Sequence, residues 1–441
     1  MEKVKIGVLG GFRGMTMIQW CADNPEKAEV VAICDYSEAV LSRCEEYLKE
    51  KGISTKLYRN FEEFLKHDME AVVLANYATE HAPYAIRCLE HGLNVLSEVL
   101  PVQNLDEAVR LAEAVEKSGK VYAYAENYCF SPATAEMKRL YDAGALGEFE
   151  YGEGEYVHNC VDGWHFITYG DPNHWRNTMS AFFYCTHSIG PLLHITGLRP
   201  VKVTGFELPH NEPARRIGCK GGSGAIEMVT LENGAVIKSF HALTLKRNSV
   251  WYCMYGTKGR AESEREIPDG SGVAKIFVQN DTEAHPHGEW AQYRPRLGGE
   301  PLDGKFGAEG ELEYRVKKAD PALVKADEKL GHNGSDHFTM DNFVKAVRGE
   351  KAEIIDVYEA LDMAFCGLFG YFSVLEGGKN LEIPNFRDPA AREKYRGDKR
   401  CTDPKVAGDQ LIPSYSKGTP QIPQEVYDKM RKLYEEQTAK K

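Results

Sequence analysis

The strongest constraint on this chain is a strict alternation of short β-branched runs with helical stretches through about residue 145. Residues 4–9, 30–34, 71–75, 94–97 and 121–125 read as strands, and residues 15–22, 39–51, 79–91 and 105–118 carry apolar side chains at helical spacing. Strand and helix in that order predict a parallel sheet covered by helices on both faces, because each crossover must return over the sheet. The first strand runs into Gly10-Gly11-Phe12-Arg13-Gly14 and then a helix. In such a turn, glycine lets the backbone approach a pyrophosphate at a helix N-terminus.

The match to G-x-G-x-x-G is imperfect, since Phe12 and Met15 stand where the second and third glycines belong. Asp35, at the end of the second strand, strengthens the reading. A carboxylate there accepts hydrogen bonds from both ribose hydroxyls and repels a 2′-phosphate, which favours NAD over NADP.

The second half follows a different rule. Residues 148–158, 202–207, 224–231, 236–243, 250–255 and 274–279 are longer runs separated by turns such as Glu232-Asn233-Gly234, the pattern of an antiparallel sheet with one exposed face. Helices return at 336–347 and 356–375, the latter with Leu361, Ala364, Phe365, Leu368 and Phe372 at core spacing. The expected organisation is an α/β, doubly wound Rossmann-type domain over 1–145, then an α+β substrate and oligomerisation domain with a large, mostly antiparallel open sheet over 146–383. The 356–375 helix is a candidate to pack back on the first domain. A C-terminal surface arm over 384–441 closes the chain, with an amphipathic helix near 424–436.

Charge and composition narrow the partners. With 54 basic and 66 acidic residues the formal charge is −12, and no basic patch offsets it, so nucleic acid is not an expected partner. The longest strongly apolar run, residues 363–375, falls short of the ~20 residues that span a bilayer and contains Gly367 and Gly370. No membrane association is expected. The N-terminus enters a strand at once and reads as folded protein, not an export signal. Eleven cysteines without a C-x-x-C pair fit reduced thiols and a cytoplasmic location. His165, His174 and His187 have no compact ligand spacing, so no metal is expected.

Gly7-Val-Leu-Gly10, Val31-Ala-Ile-Cys-Asp35, Ala71-Val-Val-Leu-Ala-Asn76 followed by His81, and Asn94-Val-Leu-Ser-Glu98 together resemble the glucose-fructose oxidoreductase and inositol dehydrogenase (Gfo/Idh/MocA) family. Most dehydrogenases of that family end the fifth strand in Glu-Lys-Pro, whose lysine assists proton transfer from the sugar hydroxyl. Here the run is Glu98-Val99-Leu100-Pro101. The subgroup lacking the lysine is glycoside hydrolase family 109 with related NAD-dependent glycosidases. Its motifs resemble Glu126-Asn127-Tyr128, His174-Trp175-Arg176, Tyr184-Cys185-Thr186-His187, Gly331-His332-Asn333-Gly334 and Ile383-Pro384-Asn385-Phe386.

The resemblance implies a glycosidase that uses NAD as a recycled reagent. Oxidation at C3 acidifies the C2 proton, the aglycone leaves C1 by β-elimination, water adds, and C3 is reduced again. Such a route needs a proton acceptor and a carbonyl-polarising group instead of paired carboxylates. It implies catalytic roles for Tyr184, His187 and His332, with His332 the acid or water-activating base. Gly10, Phe12, Arg13, Gly14, Asp35, Asn76, His81, Glu98, Glu126 and Asn127 would meet NAD, and Tyr128, His174, Trp175 and Arg176 the sugar. A small glycoside and a second copy of the chain are the expected partners. The alternatives are a glycoside 3-dehydrogenase that releases a 3-keto sugar, and a non-catalytic sugar or nucleotide sensor.

Overall fold

The computed structural model describes residues 3–265, 276–280, 289–293 and 334–439. They form two compact units, each drawn from separated stretches of chain.

The first unit takes its described residues from within 1–131, 320–361 and 386–397, whereas the sequence suggested one continuous span. Its parallel sheet comprises β1 (Val4–Leu9), β2 (Ala28–Cys34), β3 (Lys56–Tyr58), β4 (Ala71–Leu74), β5 (Asn94–Ser97) and β6 (Tyr122–Tyr124). The spatial order is β3-β2-β1-β4-β5-β6, so strand order reverses between β1 and β4, where doubly wound sheets open a crevice at their carboxyl ends. Connecting helices are α1 (Gly11–Asp23), α2 (Glu38–Glu50), α3 (Phe61–Phe64), α4 (His81–Glu90) and α5 (Leu105–Ser118). Local chemistry starts and stops them: the Asn104 side chain accepts from the Glu107 amide at the start of α5, and Gly119 ends that helix in the left-handed region. The core joins Ile6 and Val8 of β1 to Met17, Ile18 and Trp20 of α1, and to Met340, Phe343 and Val344 of helix Ser335–Val347.

Two glycines explain the first turn. Gly10 sits at φ +92°, and a Cβ there would lie 2.5 Å from the backbone of Ala75 and Asn76. Only glycine lets β1 turn so close to the end of β4. A Cβ on Gly14 would lie 2.5 Å from Val8 Cγ1. Gly14 therefore provides the close helix–strand approach that the fingerprint assigns to its third glycine, one position earlier than the motif spacing places it.

The second unit takes its described residues from within 132–319, 362–385 and 398–441. Its nine strands are β7 (Phe149–Val157), β8 (Pro200–Glu207), β9 (Gly224–Leu231), β10 (Val236–Ala242), β11 (Ser249–Gly256), β12 (Gly259–Ser263), β13 (Ile276–Asn280), β14 (Glu289–Tyr293) and β15 (Leu381–Glu382). They lie in the order β14-β13-β12-β11-β7-β10-β9-β8-β15. Neighbours are antiparallel except β7 and β10, which pair in parallel, so the sheet is mostly antiparallel, as the sequence suggested. Burial alternates along β9, with Ala225, Glu227, Val229 and Leu231 inward, as a sheet with one covered face requires. Helices α6 (Pro132–Asp142), α7 (Trp164–Ile167), α8 (Thr186–Thr196) and α9 (Glu212–Ile217) accompany this unit. α8 lies against β7 at Gly154, where a Cβ would stand 1.7 Å from the Ser188 carbonyl oxygen.

Helix Val357–Leu375 is apolar nearly all round and buried at Leu361, Ala364, Phe365 and Phe372, with Leu368 half-buried. The tail beyond Pro384 is largely exposed but anchored, burying Phe386, Cys401, Tyr427 and Met430. In the second unit the Tyr427 hydroxyl donates to the Gly218 carbonyl at 3.0 Å. None of the eleven cysteines is in a disulfide among the described residues. Among the described residues, no helix is long and apolar enough to cross a membrane.

Candidate active site

The crevice at the carboxyl ends of β1, β2, β4, β5 and β6 collects most of the residues expected to meet a dinucleotide. The Asp35 carboxylate is fixed by backbone donors: Oδ2 accepts from the Gly11 amide at 2.9 Å and Oδ1 from the Ser37 amide at 2.8 Å. Burial pushes this carboxyl up, while the two amides and Arg43 pull it back. Each oxygen keeps a further lone pair, so the group can still accept from ribose hydroxyls. Asn76 follows β4 and Asn127 follows β6. Each buries a carboxamide oxygen that has no hydrogen-bond partner among the described residues. Unsatisfied acceptors in a crevice of this topology fit a ligand carrying hydroxyl and amide donors, as NAD does. His81 is buried, its Nδ1 2.9 Å from the Leu100 carbonyl, and burial holds it neutral by pushing its pKa down to about 4.

Arg13 is used in a way the motif did not suggest. Its guanidinium lies 2.7 Å from Glu98 Oε1 and 2.9 Å from Asp336 Oδ1. Desolvation alone would lower its pKa, but the two carboxylates raise it, so the side chain is a permanent cation in an acidic cage. Asn127 Nδ2 also donates to Asp336 Oδ1, at 3.3 Å. Asp336 thus ties the first helix to the segment after β6. Glu126 is fully buried and accepts from the Tyr128 amide at 3.4 Å, while Phe12 carries Arg43 over its ring at 5.4 Å.

In the second unit, the turn before α8 brings the expected sugar-site residues together. The Tyr184 and His187 rings stack at 5.6 Å with an interplanar angle of 22°. Arg176 donates to the Tyr184 hydroxyl oxygen and lies 4.4 Å over the Trp175 ring. A guanidinium in that place stabilises negative charge developing on the phenolic oxygen. Trp175 is buried, and its indole N–H has no acceptor among the described residues. His174 stacks on Trp175, and its Nδ1 accepts from the Arg176 amide at 3.2 Å. Burial, with Arg176 adding to it, lowers His174 to about 3 and keeps it neutral.

Tyr128 belongs to the first unit, in the short helical turn Asn127–Phe130. His332, with Gly331 and Asn333, lies outside the described residues. The sequence reading missed Asp336, and it also missed Tyr156 and His158. The Tyr156 ring lies 4.6 Å from that of His187, and its hydroxyl is 2.9 Å from His158 Nδ1. The alternation of β7 places Tyr156 and His158 on the same side, a weak signal that becomes meaningful only once His187 is known to sit beside them.

Residues 4–126 match the model of an oxidoreductase family with an NAD-binding Rossmann fold, and residues 201–392 match the glycosyl hydrolase 109 C-terminal domain. The chain is 25% identical over 424 residues to glycosyl hydrolase family 109 protein 5 of Phocaeicola vulgatus, covering 88% of this chain and 78% of that one. It is 23% identical over 422 residues to an alpha-N-acetylgalactosaminidase of Bacteroides fragilis, covering 88% and 92%. In fold it is similar to a levoglucosan dehydrogenase solved with NADH and levoglucosan, with a TM-score of 0.67 and 16% identity over 87% of this chain and 100% of that one.

Proposed function

The chain belongs to the Gfo/Idh/MocA oxidoreductase family and carries the C-terminal domain of glycosyl hydrolase family 109, and on that premise we propose that it is an NAD-dependent glycosidase cleaving small glycosides through transient oxidation at C3. NAD, when bound, supplies reversible oxidation of one sugar carbinol. Asp35 would hold it at a ribose, and the open carboxamide oxygens of Asn76 and Asn127 would accept from its donors.

The protein's own residues manage protons and charge. Tyr184 and His187 are the groups that accept the C3 hydroxyl proton and the C2 proton, because they stand ring to ring with Arg176 on the phenolic oxygen. Loss of the C2 proton with departure of the C1 oxygen gives an unsaturated ketone. Water then adds its oxygen at C1 and a proton returns to C2. His332 is the proposed acid toward the leaving group or base toward water. The indole N–H of Trp175 donates to a sugar oxygen, which satisfies a buried donor that the protein leaves open.

The observation that carries this reading is the Trp175–Arg176–Tyr184–His187 cluster in a chain with Val99 where related dehydrogenases have lysine. Turnover in deuterium oxide tests it: the released sugar should carry deuterium at C2. Retained protium at C2 rejects the elimination. Accumulation of NADH in step with product assigns the protein as a 3-dehydrogenase instead. A 2-acetamido-galactoside is the first substrate to try, given the relative that bears that name.

A further inference from the structure

Beneath the turn that carries Tyr184 and His187 lies a buried polar group that the mechanism does not use. Glu227 of β9 is fully buried, neither of its oxygens accepts a well-formed hydrogen bond from a described residue, and Gly370 closes over its side chain. Glu227 stands opposite Ser239 of β10, which in turn stands opposite Gly154 of β7, where α8 rests. The Ser188 hydroxyl donates to the Cys185 carbonyl at 2.9 Å and accepts from Ser239 at 2.7 Å. His241 Nε2 donates to the Ala181 carbonyl at 2.6 Å. Both ends of the 181–188 segment are thereby tied to β10.

The tautomer of His241 follows. A carbonyl can only accept, so Nε2 carries a proton and, in the neutral ring, Nδ1 is a lone pair. That lone pair lies 3.6 Å from Glu227 Oε2 and 3.5 Å from the Ser188 oxygen, whose proton is committed to Cys185. A carboxylate facing a lone pair away from water repels it, whereas one proton between them makes the contact attractive.

We propose that Glu227 and His241 hold a single proton between them and act as a positioning pair for the 181–188 turn, fixing the spacing of Tyr184 and His187; this rests on the reading of those two as the proton-transfer groups. Burial pushes the Glu227 carboxyl up to about 8, partly offset by Ser239. Burial also lowers His241 to about 3, against the Ala181 carbonyl and with His187 adding to the fall. The other titratable groups facing the pair are His187 from α8 and Cys366 from helix Val357–Leu375, the latter neighboured by Cys185 and Asp362. Burial holds the Cys366 thiol well above its ordinary range, so the pair loses its proton first as pH rises.

The test compares wild type, Glu227→Leu and Glu227→Gln as holoenzymes, with 4-nitrophenyl α-N-acetylgalactosaminide as substrate and ¹³C-labelled histidine as a second probe. Glu227→Leu should lower kcat at pH 7 by about 10- to 100-fold with KM changed less than about threefold. Glu227→Gln, whose amide can donate to Nδ1 at every pH, should restore most of that loss. Wild-type kcat should fall with a midpoint near pH 8, and Glu227→Gln should abolish that fall. The His187 ring signal, assigned with His187→Gln, should shift between pH 7 and 9 in wild type and stay fixed in Glu227→Gln. An unchanged alkaline limb and an unchanged pH response of the His187 ring signal in Glu227→Gln overturn the proposal, and this variant decides the matter if Glu227→Leu does not fold. Should wild type leave the glycoside intact, the glycosidase reading fails while the histidine titration still judges the pair.

Discussion

Removing the Tyr184 hydroxyl deprives Arg176 of its partner and takes away the proposed proton acceptor while leaving the ring stack on His187 in place. Tyr184→Phe should therefore cut kcat by about 10² to 10⁴ with little change in thermal midpoint, read by steady-state kinetics beside calorimetry. A comparable fall in stability would mean that the hydroxyl is structural. Trp175→Phe removes the indole donor and shortens the ring that Arg176 and His174 cover, and should raise KM by roughly tenfold or more, at least the worth of about one hydrogen bond. Asp35 could be singled out in the sequence by its place at the end of a strand, and Tyr184 and His187 by the resemblance of their run to a family motif. Asp336 could not, since its meaning comes from Arg13, 323 residues away. Glu227 was equally silent: in sequence it is an acidic residue on a strand, and only the fold shows that the strand turns it inward.

At the level of elements, apolar period did most of the predicting. The bounds of β1, β5, β9 and α5 follow directly from their patterns, whereas the three residues of β3 are too few to show any period. The parallel pairing of β7 with β10 escaped notice because a strand's own sequence does not state which neighbour it will meet. Contact between α8 and β7 rests on the missing side chain of Gly154. Gly154→Ala should force α8 away from the sheet, cost about 1–3 kcal/mol or more in urea unfolding, and lower turnover by displacing His187. Full stability and activity in that variant would show that the contact is loose.

Across the whole molecule, buried titratable groups set opposing pH slopes. His81, His174 and His241 are depressed to about 4, 3 and 3, so the unfolded chain binds their protons first as pH falls below 6.5. Their contribution is complete above pH 6.5 and is lost as pH falls through the folded values. Glu227 and Glu107 are raised to about 8 and 7, so between pH 4.5 and those values the unfolded chain releases protons that the fold retains, and stability declines as pH rises. Thermal midpoints should therefore peak near about pH 6. A steady rise to pH 8 would contradict the two raised carboxyls. Chain layout makes a second prediction. A fragment of residues 1–145 lacks Met340, Phe343 and Val344 from its core and the His337 partner of the Trp20 indole, and it should not unfold cooperatively.

Ten of the eleven thiols are buried and Cys160 alone is partly open. The chain thereby carries an internal clock for its own breathing. A maleimide should modify Cys160 promptly and the others only when their surroundings part, so the staggered mass increments would rank, segment by segment, how often each region exposes itself to solvent.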